Sequence, residues 1–227
     1  MEFDTVGDAE SDGHAGWRHR VADTIDSFRH RNDRLARFGP GHLPPLHSTR
    51  RPDAEWRVGV LVFQGVTSNE IDEPVRRIAD RLHADLVFVG VEVGRVQAVE
   101  PARTVDVDIT PDDAPDADVL VIPGGIGWER LVADLTLMAW LTRNAQHARA
   151  VLAISTGSLL LAAAGRLEGQ KSTGHWLARD DLARLGAAVQ SDRIVRSDDG
   201  RIVTASGAHA ALSAIDELLE RVLWDVH

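Results

Sequence analysis

Two segments of the chain carry residue types and spacings that could do chemistry. A short apolar run, Ala150 to Ile154, leads into Ser155-Thr156-Gly157 and then into a stretch rich in leucine and alanine. This order predicts a strand, a tight turn and a helix, a geometry that lifts the side chain at the turn, Ser155, into a cleft. Further along, His175 supplies an imidazole that could face the same cleft. Ser155 could then bind a substrate, or act as a nucleophile if a base reaches it.

A glycine pair and an acidic residue complete the candidate site. Gly124-Gly125 ends a buried apolar run, and we predict that Gly124, Gly125 and Thr156 bind substrate or an oxyanion through backbone N–H groups of Gly125 and Thr156. Glu70 follows another such run, and a carboxylate desolvated in a cleft can shuttle protons near neutrality. Glu70 is therefore our first candidate for general acid and base, and His175 the second. The alternatives are that Ser155 only tolerates the strain of the turn in a protein that has lost catalysis, that the glycines only form a turn, that Glu70 only complements a helix dipole and that His175 is structural.

The elements that must position these residues alternate between apolar strands and helices. Near-continuous apolar runs at Val58 to Phe63, Leu86 to Val91 and Asp118 to Ile122 are typical of parallel strands buried on both faces. Helices are predicted between them, including Glu70 to His83, Trp128 to Ala148 and Ala208 to Trp224. The pattern predicts an α/β fold with a doubly wound, mostly parallel sheet sandwiched by helices. In such folds ligands bind beyond the carboxyl ends of the strands, where the candidate residues fall.

Composition excludes several classes of chemistry. The chain has 227 residues and no cysteine, which rules out disulfides, thiolate metal sites and thiol catalysis. A net charge of -10 argues against a nucleic-acid partner. No apolar run approaches the roughly 20 residues of a membrane span, and the acidic N-terminus lacks the order of a signal peptide. We expect a cytoplasmic protein that acts on a small molecule without a metal or cofactor.

Two parts of the chain differ in character. Residues 1–55 form an N-terminal extension with an acidic start, an amphipathic helix from Trp17 to Phe38 and a proline-rich linker at residues 43–46. Residues 56–227 form the main domain. We expect the amphipathic helix to pack on its own domain or on a partner subunit.

The motifs of the main domain together resemble the ThiJ/PfpI superfamily, which has the class I glutamine-amidotransferase-like fold, and within it the isonitrile-hydratase-like branch. The resemblance covers residues 57–226 and rests on the following motifs: Phe63-x-Gly65-Val66-Thr67 followed by an acid, Asp118 to Gly125, Ser155-Thr156-Gly157, Leu161 to Gly169, Thr173 to Trp176, and Asp199 to Gly207. The resemblance implies a homodimer, and a cysteine at the position that Ser155 occupies. It also implies that Glu70 matches the acid that contacts that thiol. Where the family has Gly-Pro after the acid, this chain has Glu73-Pro74, with Asp72 beside it, and we expect both extra carboxylates to be solvated.

Three functions agree with these observations. The first is a small-molecule enzyme that uses cysteine-independent acid–base chemistry, as a hydratase, dehydratase, isomerase or cyclase. Its role would be in specialised-metabolite biosynthesis. The second is a serine hydrolase with Ser155 as nucleophile, although the glycine two residues before the serine of a Gly-x-Ser-x-Gly elbow is absent. The third is a non-catalytic sensor or binding protein. Regulators with this domain usually append a helix-turn-helix, for which we expect no room here.

Overall fold

The computed structural model describes residue 20 and residues 43–224. Ten strands are present in these ranges: β1 Arg57–Leu61, β2 Asp85–Val89, β3 Gly94–Ala98, β4 Arg103–Val107, β5 Val119–Ile122, β6 Ala150–Ile154, β7 Lys171–Ser172, β8 Ala188–Val189, β9 Ile194–Ser197 and β10 Ile202–Ala205. Six of them form the central sheet, in the order β2-β1-β5-β6-β10-β9. Every neighbouring pair in this sheet is parallel except β10 and β9, which are antiparallel. Strands β3 and β4 form a separate antiparallel hairpin, and β7 and β8 a short parallel pair.

Seven α-helices connect the strands in the described ranges: α1 Ser68–Ile71, α2 Glu73–Leu82, α3 Trp128–Leu131, α4 Leu135–His147, α5 Gly157–Ala163, α6 Arg179–Arg184 and α7 Ala208–Trp224. A short 3-10 helix, Trp176–Ala178, precedes α6. Helices α2 and α7 contact each other and the sheet, and α5 packs on β5 and β6. All residues of β5 and β6 are buried, and because successive side chains point to opposite faces of a strand, both faces of the sheet are covered. The predicted doubly wound α/β fold is confirmed.

Two predicted helices are each divided in the structure. The segment predicted as one helix from Glu70 to His83 bends at Asp72, and Pro74 lies in the first turn of α2, where its missing N–H is tolerated. The segment from Trp128 to Ala148 is divided because the Asp134 side chain accepts a 2.9 Å hydrogen bond from the Leu137 N–H and begins a new helix there. Local caps thus shift the boundaries without changing the topology.

The proline-rich segment before β1 is extended, as predicted, but it is not a free linker. Leu46 is buried in the core and pairs with Val105 of β4, while Thr49 pairs with Leu86 of β2. The segment therefore lies along strand edges and covers backbone groups that would otherwise be unpaired. The amphipathic helix predicted from Trp17 to Phe38 lies, apart from Arg20, outside the described residues. Among the helices of the described ranges, none combines the length and the apolar character needed to cross a bilayer.

Candidate active site

A pocket of about 230 Å³ lies beyond the carboxyl ends of the central strands. Its lining includes most of the residues predicted from the sequence: Glu70, Gly125, Ser155, Thr156 and His175. They come from four separate loops, and parallel strands bring these loops to one edge of the sheet. Gly124 lies directly behind the lining, where it contacts both the elbow and Glu70.

The turn at Ser155 adopts the strained conformation of a nucleophile elbow. Ser155 has φ +58°, in the left-handed region that side chains other than glycine rarely adopt. Its N–H donates a 2.8 Å hydrogen bond to the carbonyl of Ala205, which fixes the end of β6 against β10. This contact and the start of α5 hold the turn and aim the Ser155 side chain into the pocket. Strain of this kind persists only where the surroundings determine the conformation, and it is concentrated at functional sites.

Gly124 allows the loop after β5 to approach the elbow closely. A Cβ atom at this position would lie 2.8 Å from the Thr156 nitrogen and 2.9 Å from the Ser155 Cβ, closer than real Cβ atoms come. The same residue donates its N–H to the Glu70 Oε2 atom at 2.6 Å. Gly124 thus serves the packing of the elbow and binds the acid, rather than lining the pocket itself.

Glu70 is buried, with 4% of its surface exposed. Burial disfavours the charged carboxylate and raises the pKa of Glu70 to about 7, from an ordinary value of 4.5. The hydrogen bonds from the Gly124 N–H and the Ser155 hydroxyl oppose this rise, and the negative charge of Glu100 adds to it. A carboxyl group with this pKa can both give and take a proton near neutral pH.

The predicted anion pocket is partly occupied by the protein itself. The Gly125 N–H donates to the Thr156 Oγ1 atom at 2.9 Å, and the Thr156 hydroxyl donates back to the Gly125 carbonyl at 3.0 Å. The Thr156 N–H, in contrast, has no hydrogen-bond acceptor among the residues that the structure describes. Of the two amides that the sequence suggested for an oxyanion, one is therefore directed at a side chain and one is available.

His175 lines the pocket as a neutral hydrogen-bonding group. The Leu177 N–H donates to the His175 Nδ1 atom at 3.3 Å, so the neutral ring carries its proton on Nε2. Burial lowers the pKa of His175 below its ordinary value, and the charge of Glu100 opposes this change. The neighbouring Trp176 is 70% exposed, and its ring lies 5.7 Å from the imidazole. In this tautomer His175 offers a hydrogen-bond donor to the pocket rather than a base for Ser155.

Sequence reasoning did not assign four polar residues of the pocket to the site: Thr67, Asn69, Glu100 and Ser206. Glu100 comes from the loop between β3 and β4, a segment to which the sequence analysis assigned no role. The Asn69 N–H donates to the Glu100 carbonyl at 3.3 Å, which brings this loop to the start of α1. For Asn69, the sequence offered one signal, the polar pair Ser68-Asn69 directly before Glu70. For Glu100 it offered none, because the position of Glu100 depends on a contact between distant segments.

The two extra carboxylates after Glu70 lie away from the pocket. Asp72 pairs with Arg76 and with the buried Arg103, whose guanidinium also donates to the Pro44 carbonyl. Glu73 is exposed at the start of α2. Asp72 therefore ties α1 to the segment before β1, a structural role that differs from the solvated one predicted. In the described part of the chain, His, Asp and Glu side chains form no group of three that could hold a metal ion.

Comparisons with known proteins agree with the fold. The model of the DJ-1/PfpI family matches residues 56–221. The isonitrile hydratase of Pseudomonas putida is 41% identical over 163 residues, which are 69% of this chain and 67% of that protein. A solved structure of a ThiJ/PfpI family protein from Pseudomonas syringae is 27% identical, has a TM-score of 0.65 and covers 82% of this chain and 80% of its own.

A regulator also shares much of the sequence. The HTH-type transcriptional regulator GbdR of Pseudomonas aeruginosa is 32% identical over 196 residues. These residues are 82% of this chain but only 50% of the regulator. The same kind of domain thus occurs in proteins with an enzyme's name and in proteins with a regulator's name.

Proposed function

The chain belongs to the DJ-1/PfpI family, as its motifs predicted, and we propose that it is an enzyme that acts on a small organic molecule by proton transfer through Glu70. One observation carries the proposal: the buried Glu70 carboxyl has its pKa raised to about 7 and lies beside Ser155 in the pocket. A group whose pKa lies near the working pH is effective both as an acid and as a base. Because the chain has no cysteine, the proposed chemistry uses no thiol.

Hydration is the reaction class that we propose first. The similarity to isonitrile hydratase supports it, since adding water across a multiple bond requires one proton to be given and another to be taken. Dehydration, isomerisation and cyclisation require the same pair of transfers, so the same residues could serve them. The pocket, at about 230 Å³, is smaller than the range of about 300–1,000 Å³ that is usual for ligand sites, which fits a small substrate.

Isonitrile hydration can be written through Glu70 alone. The protonated Glu70 carboxyl gives its proton to the terminal carbon of the isonitrile, and a water molecule adds to the same carbon. The Glu70 carboxylate then takes a proton from that water, and the imidic acid rearranges to an N-substituted formamide. Isonitrile and water are consumed, formamide is released and Glu70 returns to its acid form. In this proposal Ser155 and His175, which both line the pocket, orient the water and the substrate.

The test is turnover of a simple alkyl isonitrile, followed by mass spectrometry of the formamide. We expect Glu70→Gln to reduce formamide formation to the level of buffer, because the amide keeps the shape of the carboxyl group but cannot exchange its proton. Ser155→Ala is expected to keep part of the activity, because the hydroxyl only orients. Glu220→Gln changes an exposed carboxylate on α7 and is the matched control for net charge.

The three variants also separate the alternatives. Turnover that survives in Glu70→Gln would remove Glu70 from the reaction. Complete loss in Ser155→Ala, with normal folding, would show that the hydroxyl takes part in the reaction itself and would contradict a merely orienting role. If wild-type protein converts no isonitrile, that substrate is excluded, and the same variants are then compared on substrates for dehydration or isomerisation.

Ligand sensing is a second candidate, favoured by the similarity to the regulator GbdR over 82% of this chain. A sensor needs the pocket but no proton transfer. It would bind a small molecule in wild-type protein and in Glu70→Gln alike and would release it unchanged, which product analysis by mass spectrometry detects.

A further inference from the structure

We propose that the pocket recognises a substrate with a positively charged nitrogen, and that Glu100 is the specificity-determining residue that contacts this charge. The inference rests on the proposed function, since it names the substrate class of the same site. It concerns binding only and adds no chemical step.

The charges of the pocket lining favour a cation. Among the described residues that line the pocket, Glu70 and Glu100 are acidic and none is lysine or arginine. The remaining ionisable group, His175, has its pKa lowered by burial, which favours its neutral form. An anionic substrate would meet the charge of Glu100, and that of Glu70 whenever Glu70 is ionised, without a compensating positive charge, whereas a cation would be attracted.

Glu100 is fixed in place while its carboxylate stays available. Its loop is held by backbone hydrogen bonds, from the Ser68 N–H to the Val99 carbonyl at 2.7 Å and from the Asn69 N–H to the Glu100 carbonyl. Ser68 also donates its hydroxyl to the Pro101 carbonyl at 2.7 Å. The Glu100 carboxylate forms no ion pair or hydrogen bond with any residue in the described ranges. Its charge acts on both Glu70 and His175, which places it close to the two ionisable groups of the pocket.

Thr67 supplies a second, independent sign of a ligand. Only 8% of its surface is exposed and it lines the pocket, yet its hydroxyl makes no hydrogen bond with the part of the chain that the structure describes. The hydroxyl oxygen is not one of the fully buried atoms without a partner in the described residues, so it is accessible from the pocket and open to a ligand. A substrate ammonium group is rich in N–H donors, which the Thr67 hydroxyl and the Glu100 carboxylate can both accept.

Two further features agree with a cationic ligand. The Gly125 N–H, a group that would attract an anion, already donates to Thr156. Trp176, 70% exposed beside His175, presents an indole ring next to the pocket. Indole faces attract cations.

The experiment compares three probes that share a benzyl skeleton and differ in charge: benzylammonium, benzyl alcohol and benzoate. Dissociation constants are measured by calorimetry at constant ionic strength for wild type, Glu100→Gln and Glu92→Gln. Glu92 is an exposed carboxylate outside this pocket, so its variant makes the same change in net charge.

We expect benzylammonium to bind wild type most tightly and Glu100→Gln to weaken this binding about threefold to fivefold, because Glu100 is exposed and solvent weakens a single exposed charge contact. Glu92→Gln should change it by less than about twofold, because exposed charges at a distance are screened. The inference is overturned if benzylammonium does not bind, if benzoate or benzyl alcohol binds as tightly, or if the two variants behave alike.

The failure of this inference can be told from the failure of the proposed function. Formamide production that depends on Glu70, without selective binding of benzylammonium, would overturn only the cation specificity. Selective binding of benzylammonium through Glu100, without turnover of any substrate, would instead favour the sensor.

Discussion

Replacing Glu70 with glutamine is expected to make the free energy of unfolding less dependent on pH. The raised pKa of Glu70 means that the folded protein holds this proton more tightly than the unfolded chain does. Below the ordinary value of 4.5 the group is protonated in both states and costs nothing. As the pH rises towards about 7, the unfolded chain ionises first, and stability is lost. Above about 7 both states are charged, and the folded protein bears the whole penalty of the buried charge.

The size of the effect follows from the same two values. The difference between about 7 and 4.5 is 2.5 pKa units. At about 1.4 kcal/mol per unit, the full penalty is about 3 kcal/mol. Because Glu70 is only 4% exposed, solvent screens this penalty little. Glutamine cannot ionise and has the shape of the protonated acid, so the stability advantage of its variant over wild type should grow by about 2 to 3 kcal/mol between about pH 5 and about pH 8.

Urea unfolding, followed by tryptophan fluorescence, measures this gain at several pH values. The buried Trp128 and Trp140 become exposed on unfolding and report the transition. The exposed Glu220 provides the control variant Glu220→Gln, which should show no comparable gain. A stability difference between Glu70→Gln and wild type that stays constant from about pH 5 to about pH 8 would refute the raised pKa and with it the proposed acid–base role.

Three further predictions concern the neighbours of Glu70. Treatment with a fluorophosphonate should leave the intact mass of the protein unchanged, because the His175 Nδ1 atom accepts the Leu177 N–H and does not activate Ser155. An adduct that disappears in Ser155→Ala would instead show an activated serine. Long-range proton–nitrogen NMR should find His175 with its proton on Nε2 and a pKa below the ordinary histidine value, and the opposite tautomer would contradict the assigned hydrogen bond. Thr156→Val should lower the free energy of unfolding by about 1–3 kcal/mol, since the buried Gly125 N–H loses its acceptor. Thr156→Ser keeps the hydroxyl and should lose less, and equal losses in urea unfolding would argue against this bond.

Much of the fold could be predicted from the sequence because the signal is local. The apolar runs of β1, β5 and β6 are nearly continuous. A strand needs apolar residues at successive positions only when both of its faces are covered. The elbow was predictable for a similar reason, since Ser155 stands between a strand pattern and a helix pattern. Helix boundaries were less certain: the division at Asp134 depends on one capping side chain.

The chemistry of the site was decided by the tertiary structure. Sequence identified Glu70, but its raised pKa comes from burial and from Glu100, a residue on a distant loop. Sequence also suggested the Gly125 N–H as an anion donor, whereas packing directs it to Thr156. Asp72 is only two residues from Glu70 in the chain, yet its side chain pairs with Arg103 outside the pocket. Strand and helix periods are set by neighbours in the chain, whereas desolvation, charge and hydrogen-bond partners are set by neighbours in space.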